Sequence, residues 1–286
     1  MIHAPLISGP PDILIEPIVR AALAEDLGRA GDVTAAACIP EGSRMGALFS
    51  ARREGRIAGL ACIRIAVRLM DPSANIEILV NDGEDAEAGT VLARVEADAR
   101  ALLAAERTAL NLAQRLSGIA TLTRAYVRAV EGTAVRIADT RKTTPGLRVL
   151  EKHAVRCGGG VNHRFGLDDA ILIKDNHVAV CGGIGPALER ARAKAGWLTP
   201  IEIEVDNLAQ FAEARAYEPD VIMLDNFSLE DLREAVAMNN YVCKLEASGG
   251  VNLDTVRAIA DTGVDAISVG ALTHSAPALD IGLDAV

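Results

Sequence analysis

Arg141, Lys142, His163, Arg164 and Lys174 fall within one stretch, Arg136 to His177, which reads RIADTRKTTPGLRVLEKHAVRCGGGVNHRFGLDDAILIKDNH. The stretch holds eight Lys/Arg against five acids, although the chain as a whole carries a formal net charge of -10. It also holds three of the five histidines: His153, His163 and His177. A local excess of positive charge in an acidic protein fits a site for a small, strongly anionic ligand. It does not fit a nucleic-acid stripe, which normally leaves the whole domain basic. Turn chemistry supports a site. Thr143-Thr144-Pro145-Gly146 follows an apparent strand, and Gly158-Gly159-Gly160 lets backbone approach a ligand closely. Any one basic loop residue would be ordinary solvated surface. Two apolar runs in the same stretch that both end in charged residues read as a site.

Acids that could answer these cations lie further on. Ile201-Glu202-Ile203-Glu204-Val205-Asp206 alternates strictly, so the apolar residues share one face and the three acids the other. In an open antiparallel sheet the acids would face water. In a barrel the outer face is covered by helices, so the acids are expected to point into the lumen. Carboxylates there are costly unless they meet a cation. The same reasoning covers Asp225 after Val221-Ile222-Met223-Leu224, and Glu246 after Lys244-Leu245. Glu204 and Asp225 together could hold Mg²⁺, with waters and substrate oxygens completing the shell. Two later loops look suited to phosphate. Ser248-Gly249-Gly250-Val251-Asn252 and Val269-Gly270-Ala271-Leu272-Thr273-His274 each follow a strand and are expected to open a helix. The N–H groups of a helix start bind anions.

The elements that must position these groups alternate after Gly132. Strands are expected at 134–138, 170–174, 201–205, 221–224, 243–246 and 266–269. Helices are expected at 146–157, 185–195, 207–215, 228–238, 252–261 and 275–283. Such repetition means parallel strands with right-handed crossovers. A closed (β/α) barrel is the natural solution, with its chemistry at the C-terminal strand ends. Before it, Asp12 to Asp26 has helical spacing of Ile13, Ile15, Ile18, Val19, Ala22 and Leu23. Residues 47–95 read as short strands, among them RIAGLACI, and Ala99 to Val130 as a helical tract that Ser117-Gly118 could break in two. With 286 residues, half of them hydrophobic and only 3% aromatic, the core is Ala, Val, Leu and Ile, as suits an α/β architecture.

Composition excludes several classes. The strongly acidic balance argues against broad nucleic-acid or anionic-membrane binding. Cys38, Cys62, Cys157, Cys181 and Cys243 are scattered without a CxxC pair, which makes zinc unexpected and fits a reducing cytoplasm. MIHAPLISGPPDIL lacks the basic-then-apolar pattern of a signal peptide, and no uncharged apolar run reaches spanning length.

The motif series resembles a known family. DTRKTTPGLRVLEKHAVRCGGGVNHRFGLDDAILIKDNH, preceded by ERTALNLAQRLSGIAT and followed by IEIEVDN, IMLDN, EASGGV and VGALTHS, is similar to quinolinate phosphoribosyltransferases over nearly the whole chain. The resemblance implies transfer of phosphoribosyl from phosphoribosyl pyrophosphate (PRPP) to quinolinate with loss of CO₂, giving nicotinate mononucleotide and pyrophosphate in NAD synthesis. It implies an N-terminal α/β sandwich (1–112, joined by 275–286), an incomplete (β/α) barrel (113–274), and a cytoplasmic homodimer with shared active sites. By the same resemblance, Arg107 would reach the partner's quinolinate, and Arg141, His163, Arg164 and Lys174 would hold its carboxylates. Lys142, Glu204 and Asp225 would serve the PRPP ribose, pyrophosphate and Mg²⁺, and Ser248, Gly249, Gly270 and His274 would contact phosphates. Lys142, Glu204, Asp225 and Lys174 are the expected catalytic set. One departure is His153, where the family pattern calls for an aromatic, often Tyr. Two other readings stay open: a paralogue with another acceptor, of the type associated with molybdate transport, and a non-catalytic phosphosugar-binding protein. The complete set of carboxylate-binding residues favours quinolinate.

Overall fold

The structure, a computed structural model, describes residues 7–286. The first six residues of the N-terminal stretch read above for a signal peptide lie outside the described residues. The chain forms two compact units, residues 1–124, 143–159 and 272–286 in the first and 125–142 and 160–271 in the second.

The first unit is built on an antiparallel sheet. Its elements run α1 (Asp12–Leu27), α2 (Val33–Cys38), β1 (Arg44–Ala51), β2 (Gly55–Arg56), α3 (Leu60–Met70), β3 (Asn75–Ile78), β4 (Asp85–Ala86), β5 (Val91–Asp98) and α4 (Ala99–Ala129), the last five residues of which count with the second unit. The helix expected near residue 12 forms and buries Ile15, Val19 and Leu23, spaced by four along one face. Burying a side chain of that size contributes roughly 1.5–3 kcal/mol. The strand expected at RIAGLACI gives way to the N-terminal part of α3. Leu60, Ile63 and Val67 recur at helical spacing and are buried, and Asp82 caps the helix by accepting from the N–H groups of Gly59 (3.0 Å) and Leu60 (3.1 Å). His153, the departure from the family pattern, is buried against that same carboxylate, with Nε2 2.8 Å from Oδ2 of Asp82.

The break expected at Ser117-Gly118 is absent, since α4 is continuous and the expected boundary at 112/113 falls inside it. Gly118 answers a different need. A Cβ there would stand 2.0 Å from the carbonyl oxygen of Pro277, so the glycine admits a close approach of backbone. Serine 117 is no breaker either: its hydroxyl bonds the backbone of Ala58.

The second unit carries β6 (Arg136–Ala138), then, after α5 (Arg148–Cys157) of the first unit, β7 (Ile171–Ile173), α6 (Asp175–Cys181), α7 (Ile184–Lys194), β8 (Ile201–Val205), α8 (Leu208–Ala216), β9 (Val221–Asp225), α9 (Leu229–Asn239), β10 (Lys244–Ser248), α10 (Val256–Ala260) and β11 (Ala266–Ser268). All six expected strands form. They make one parallel sheet in the order β6-β11-β10-β9-β8-β7. The closed barrel read from periodicity is corrected here: β6 and β7 are the two ends of the order, and no ladder among the described residues joins them. The incomplete barrel is what remains. Val161 adds one bridge to the outer edge of β6 at Ala138, and so delivers the following Asn162-His163-Arg164 to the end of that strand.

The chain closes with α11 (Ala271–His274) and β12 (Ile281–Ala285). The helix expected at 275–283 is corrected: β12 pairs antiparallel with β1 in the first unit's sheet, in the order β12-β1-β5-β3. Tertiary pairing overrides local pattern here, because an uncovered edge of β1 would present unpaired backbone groups.

Candidate active site

Register decides which side chains enter the lumen of the second unit. Residues opposite one another in a parallel pair share a face, so Glu204 lies level with Met223, and Met223 with Glu246. The outward set, Ile201, Ile203, Val205, Ile222, Leu224, Leu245 and Ile267, is buried, as strands covered on both faces require. The inward set therefore includes Glu202, Glu204, Met223, Glu246, Ser248 and Ser268. Asp206 departs from the expected row of lumen acids. The strand ends at Val205, and Asp206 is exposed, with its N–H donating to Oε1 of Gln210 (2.8 Å).

A cleft of about 280 Å³ opens at the C-terminal ends of these strands, lined by Arg141, Lys142, His163, Arg164, Lys174 and Ser248 among others. That volume is close to the lower bound of about 300 Å³ typical of small-ligand pockets. Six of the expected residues thus meet in one place. Glu204 joins them through an ion pair with the ammonium of Lys174. Asp225 ends β9 beside Ser248 of β10, and its Oδ2 accepts from Nδ2 of Asn226 at 2.6 Å. Gly249 has φ +92°, and a Cβ on it would meet Oδ1 of Asn226 at 2.1 Å, so only glycine suits this turn. Gly270 lies two residues beyond the end of β11. Arg107 and His274 belong to the first unit. The Arg107 side chain is 65% exposed with Glu106 3.8 Å away, and Nδ1 of His274 lies 2.6 Å from Oγ of Ser275.

The phosphate loops differ from expectation in one respect. The helix after Ser248-Gly249-Gly250 begins only at Val256 and is five residues long, and α11 has four. Any anion contact there must come from loop N–H groups and not from a helix dipole.

Asp139 organises the cation-bearing loop. Fully buried at the end of β6, it accepts from Nδ2 of Asn162 (2.6 Å) and from the N–H of His163 (2.9 Å). Nδ1 of His163 accepts from the N–H of Arg164 (2.8 Å), which leaves the ring proton on Nε2, 2.9 Å from Oε2 of Glu202 and 3.6 Å from Oε2 of Glu246. Arg164 donates from Nη1 to the carbonyl of Ala170 (3.1 Å). Its Nε, like that of Arg141, is buried with no hydrogen-bond partner. Burial, and then the nearby Arg141 guanidinium, hold the pKa of Arg164 below its ordinary value. Two like-charged guanidiniums with unanswered N–H groups on one cleft are what a doubly negative, flat ligand would satisfy. Each unanswered group costs about 1–3 kcal/mol.

Beneath them, burial and then the Glu202 carboxylate push the Glu246 carboxyl up to about 7, with His163 opposing. The alternation of IEIEVD pointed to Glu202, and the strand run before Glu246 pointed to it, but neither was expected as a site residue. Asp139 and Ser268 carried no signal that spacing could read. As for a metal, Glu204 and Asp225 are hard oxygen donors on neighbouring strand ends, as Mg²⁺ prefers.

Comparison with known proteins shows which family the chain is similar to. Residues 32–117 match the family model described as quinolinate phosphoribosyl transferase, N-terminal domain, and residues 119–284 the C-terminal domain of the same family. The chain is 47% identical over 260 residues to the probable nicotinate-nucleotide pyrophosphorylase (carboxylating) of Bacillus subtilis, covering 91% of this chain and 89% of that one. It is 47% identical over 274 residues to the nicotinate-nucleotide pyrophosphorylase (carboxylating) of Mycobacterium leprae, covering 93% and 95%. The solved structure of nicotinate-nucleotide pyrophosphorylase from Francisella tularensis matches with a TM-score of 0.93 at 38% identity, covering 99% and 100%.

Proposed function

We infer the division of labour within the site from one premise: the chain belongs to the quinolinate phosphoribosyltransferase family, and its activity is nicotinate-nucleotide pyrophosphorylase (carboxylating), in NAD biosynthesis. The acceptor is quinolinate and the donor PRPP. The observation that carries the assignment of the acceptor site is the pair Arg141 and Arg164, whose buried, unanswered Nε groups line one cleft. Quinolinate is a planar dianion, and a guanidinium meets a carboxylate through two parallel hydrogen bonds. Lys174 adds a third cation, held in place by Glu204.

The reaction asks two things of these residues. First, the pyridine nitrogen must attack the ribose carbon as pyrophosphate departs. Negative charge grows on the leaving group and positive charge on the sugar, so cations and a carboxylate nearby lower the barrier. Lys142 serves the pyrophosphate, Glu204 and Asp225 the ribose side. The same two carboxylates would hold Mg²⁺, which when bound supplies charge neutralisation at the pyrophosphate. Loop groups at Ser248, Gly249 and Gly270 receive phosphate oxygens. Second, the alkylated ring must lose CO₂. The positive ring nitrogen stabilises the carbanion, while Arg141 and Arg164 orient the carboxylates.

Arg107 and His274 carry the family's remaining assignments, the quinolinate of a partner subunit's site and a phosphate. The homodimer and the cytoplasmic location belong to this proposal. The exposure of Arg107 supports the first, and five scattered free cysteines support the second. Among the described residues no helix is long and apolar enough to cross a membrane.

The test is direct. Purified protein given quinolinate, PRPP and Mg²⁺ is expected to release nicotinate mononucleotide, pyrophosphate and CO₂ in equal amounts. No product, with a competent control enzyme in the same assay, would refute the reading. Mixing Arg107→Ala with Lys142→Ala chains is expected to restore part of the lost activity. No restoration would count against shared sites.

A further inference from the structure

The carboxylate clamp leaves one feature of the acceptor cleft unused. Glu246 projects from β10 into the lumen, is 5% exposed, and its Oε1 has no hydrogen-bond partner. The same holds for Oε1 of Glu202. Glu246 borders three cavities. One is the acceptor cleft itself. A second, of about 370 Å³, reaches Pro200, Glu202 and Val221, and a third, of about 330 Å³, reaches Arg136, Lys244 and Asp265. Val221 and Lys244 begin β9 and β10, so these two cavities lie toward the N-terminal ends of the strands. One side chain thus stands between the substrate cleft and the opposite mouth of the sheet.

Building on the proposed function, we propose that Glu246 donates the proton to the ring carbon that loses CO₂, and that the cavities behind it resupply that proton from water. As CO₂ leaves, the bond to the ring carbon breaks and its electron pair stays on that carbon. The Glu246 O–H bond then breaks as the carbon takes the proton. The carboxylate left behind is reprotonated from the far side. No oxidant or reductant enters.

The surroundings show why the proton rests on Glu246. The groups facing it are Glu202 from β8, His163 from the segment after Val161, Asp139 from the end of β6 and Ser268 from β11, with apolar Met223 from β9. Oxygens of both glutamates and Nε2 of His163 lie within 4.8 Å of one another. Two carboxylates so placed are not both ionised without large cost. The Nε2–H of His163 is 2.9 Å from Glu202 and 3.6 Å from Glu246, so the imidazole answers Glu202 and leaves Glu246 the less supported of the two carboxylates. A dianionic substrate arriving beside Glu246 disfavours its ionisation further. The acid is therefore kept neutral until a carbanion forms.

The experiment measures kcat and the KM for quinolinate of wild type, Glu246→Gln and Glu246→Asp between pH 6 and 9, with saturating PRPP and Mg²⁺. Wild-type kcat is expected to fall on the alkaline side. The glutamine variant is expected to lose at least about tenfold in kcat, within the 10²–10⁴-fold scale of general acid catalysis or just below it. Its KM is expected to stay level and its alkaline fall to vanish. The aspartate variant, still an acid, is expected to keep that fall at reduced rate. Unchanged kcat in the glutamine variant, or an effect confined to KM, overturns the proposal. Wild type that makes no nicotinate mononucleotide would instead sink the function reading, so the two failures are distinguishable. If the glutamine variant does not fold, the profile of the aspartate variant decides: loss of the alkaline fall there overturns the proposal.

Discussion

The backbone N–H of Arg164 donates to Nδ1 of His163 across 2.8 Å, so the ring that lines the acceptor cleft accepts at Nδ1 and has Nε2 as its donor. Nε2 is turned to Glu202 at 2.9 Å. Nitrogen NMR of this imidazole is expected to show a proton on Nε2 and none on Nδ1. A proton on Nδ1 would contradict the assignment. His163→Ala removes the partner of a buried carboxylate, and an unfolding free energy lower by about 1–3 kcal/mol is expected.

Glu246 makes stability depend on pH. Its folded pKa of about 7 lies above the ordinary carboxylate value of about 4.3. The folded state therefore binds more protons than the unfolded state between those values. Stability is expected to be fully present below about pH 4 as far as this group is concerned, and to be lost as pH rises through 7. Glu246→Gln is expected to flatten that slope and to raise Tm at pH 8. A variant less stable than wild type at pH 8 would contradict the picture of a repelling buried pair.

Gly118→Ala sets two principles against each other. By helix propensity, alanine in the middle of α4 is favoured by about 1 kcal/mol. By packing, its Cβ would sit 2.0 Å from the carbonyl oxygen of Pro277, and that atom is backbone. The clash should win, with a loss of roughly 1–3 kcal/mol as in other overpacked sites. Urea unfolding would measure it, and a stabilised variant would show that the contact relaxes easily.

Arg115 and Glu151 form an ion pair in the first unit, with the carboxylate buried. Glu151 is fully buried, accepts from Nε of Arg115 at 2.8 Å, and accepts from the N–H of Thr144 at 3.1 Å. Arg115 also donates to Oγ1 of Thr144 (2.7 Å) and to the carbonyl of Thr273 (2.8 Å). Arg115→Ala strands the carboxylate, and a loss of about 3–5 kcal/mol is expected. Glu151→Gln should cost less, since it removes the charge along with its need. Equal losses in the two variants would mean that packing of the arginine dominates.

The second unit was legible because its strands are buried on both faces and announce themselves as short apolar runs. The cations at their ends were legible because charge after such a run has few structural reasons to be there. Three things were not. Residues 60–63 carry β-branched and small side chains that suit either structure, and only a cap supplied by Asp82, distant in sequence, settles the helix. The tail at 281–285 is a strand because β1 needs a neighbour, which no local pattern records. Asp139 sits in the motif as one more acid, and only its hydrogen bonds to Asn162 and His163 reveal that it shapes the loop carrying the clamp.

The pairing of β12 with β1 also sets an order of events during synthesis. Ala47 must wait for Ala285, so the first sheet cannot be finished until β12 has been made. At roughly 5–20 residues per second, that wait is on the order of ten seconds or more. Every strand of the parallel sheet is made during that wait, so β1 keeps an open edge for as long as the parallel sheet takes to be synthesised. A chaperone that binds nascent chains would find its target in that edge of β1.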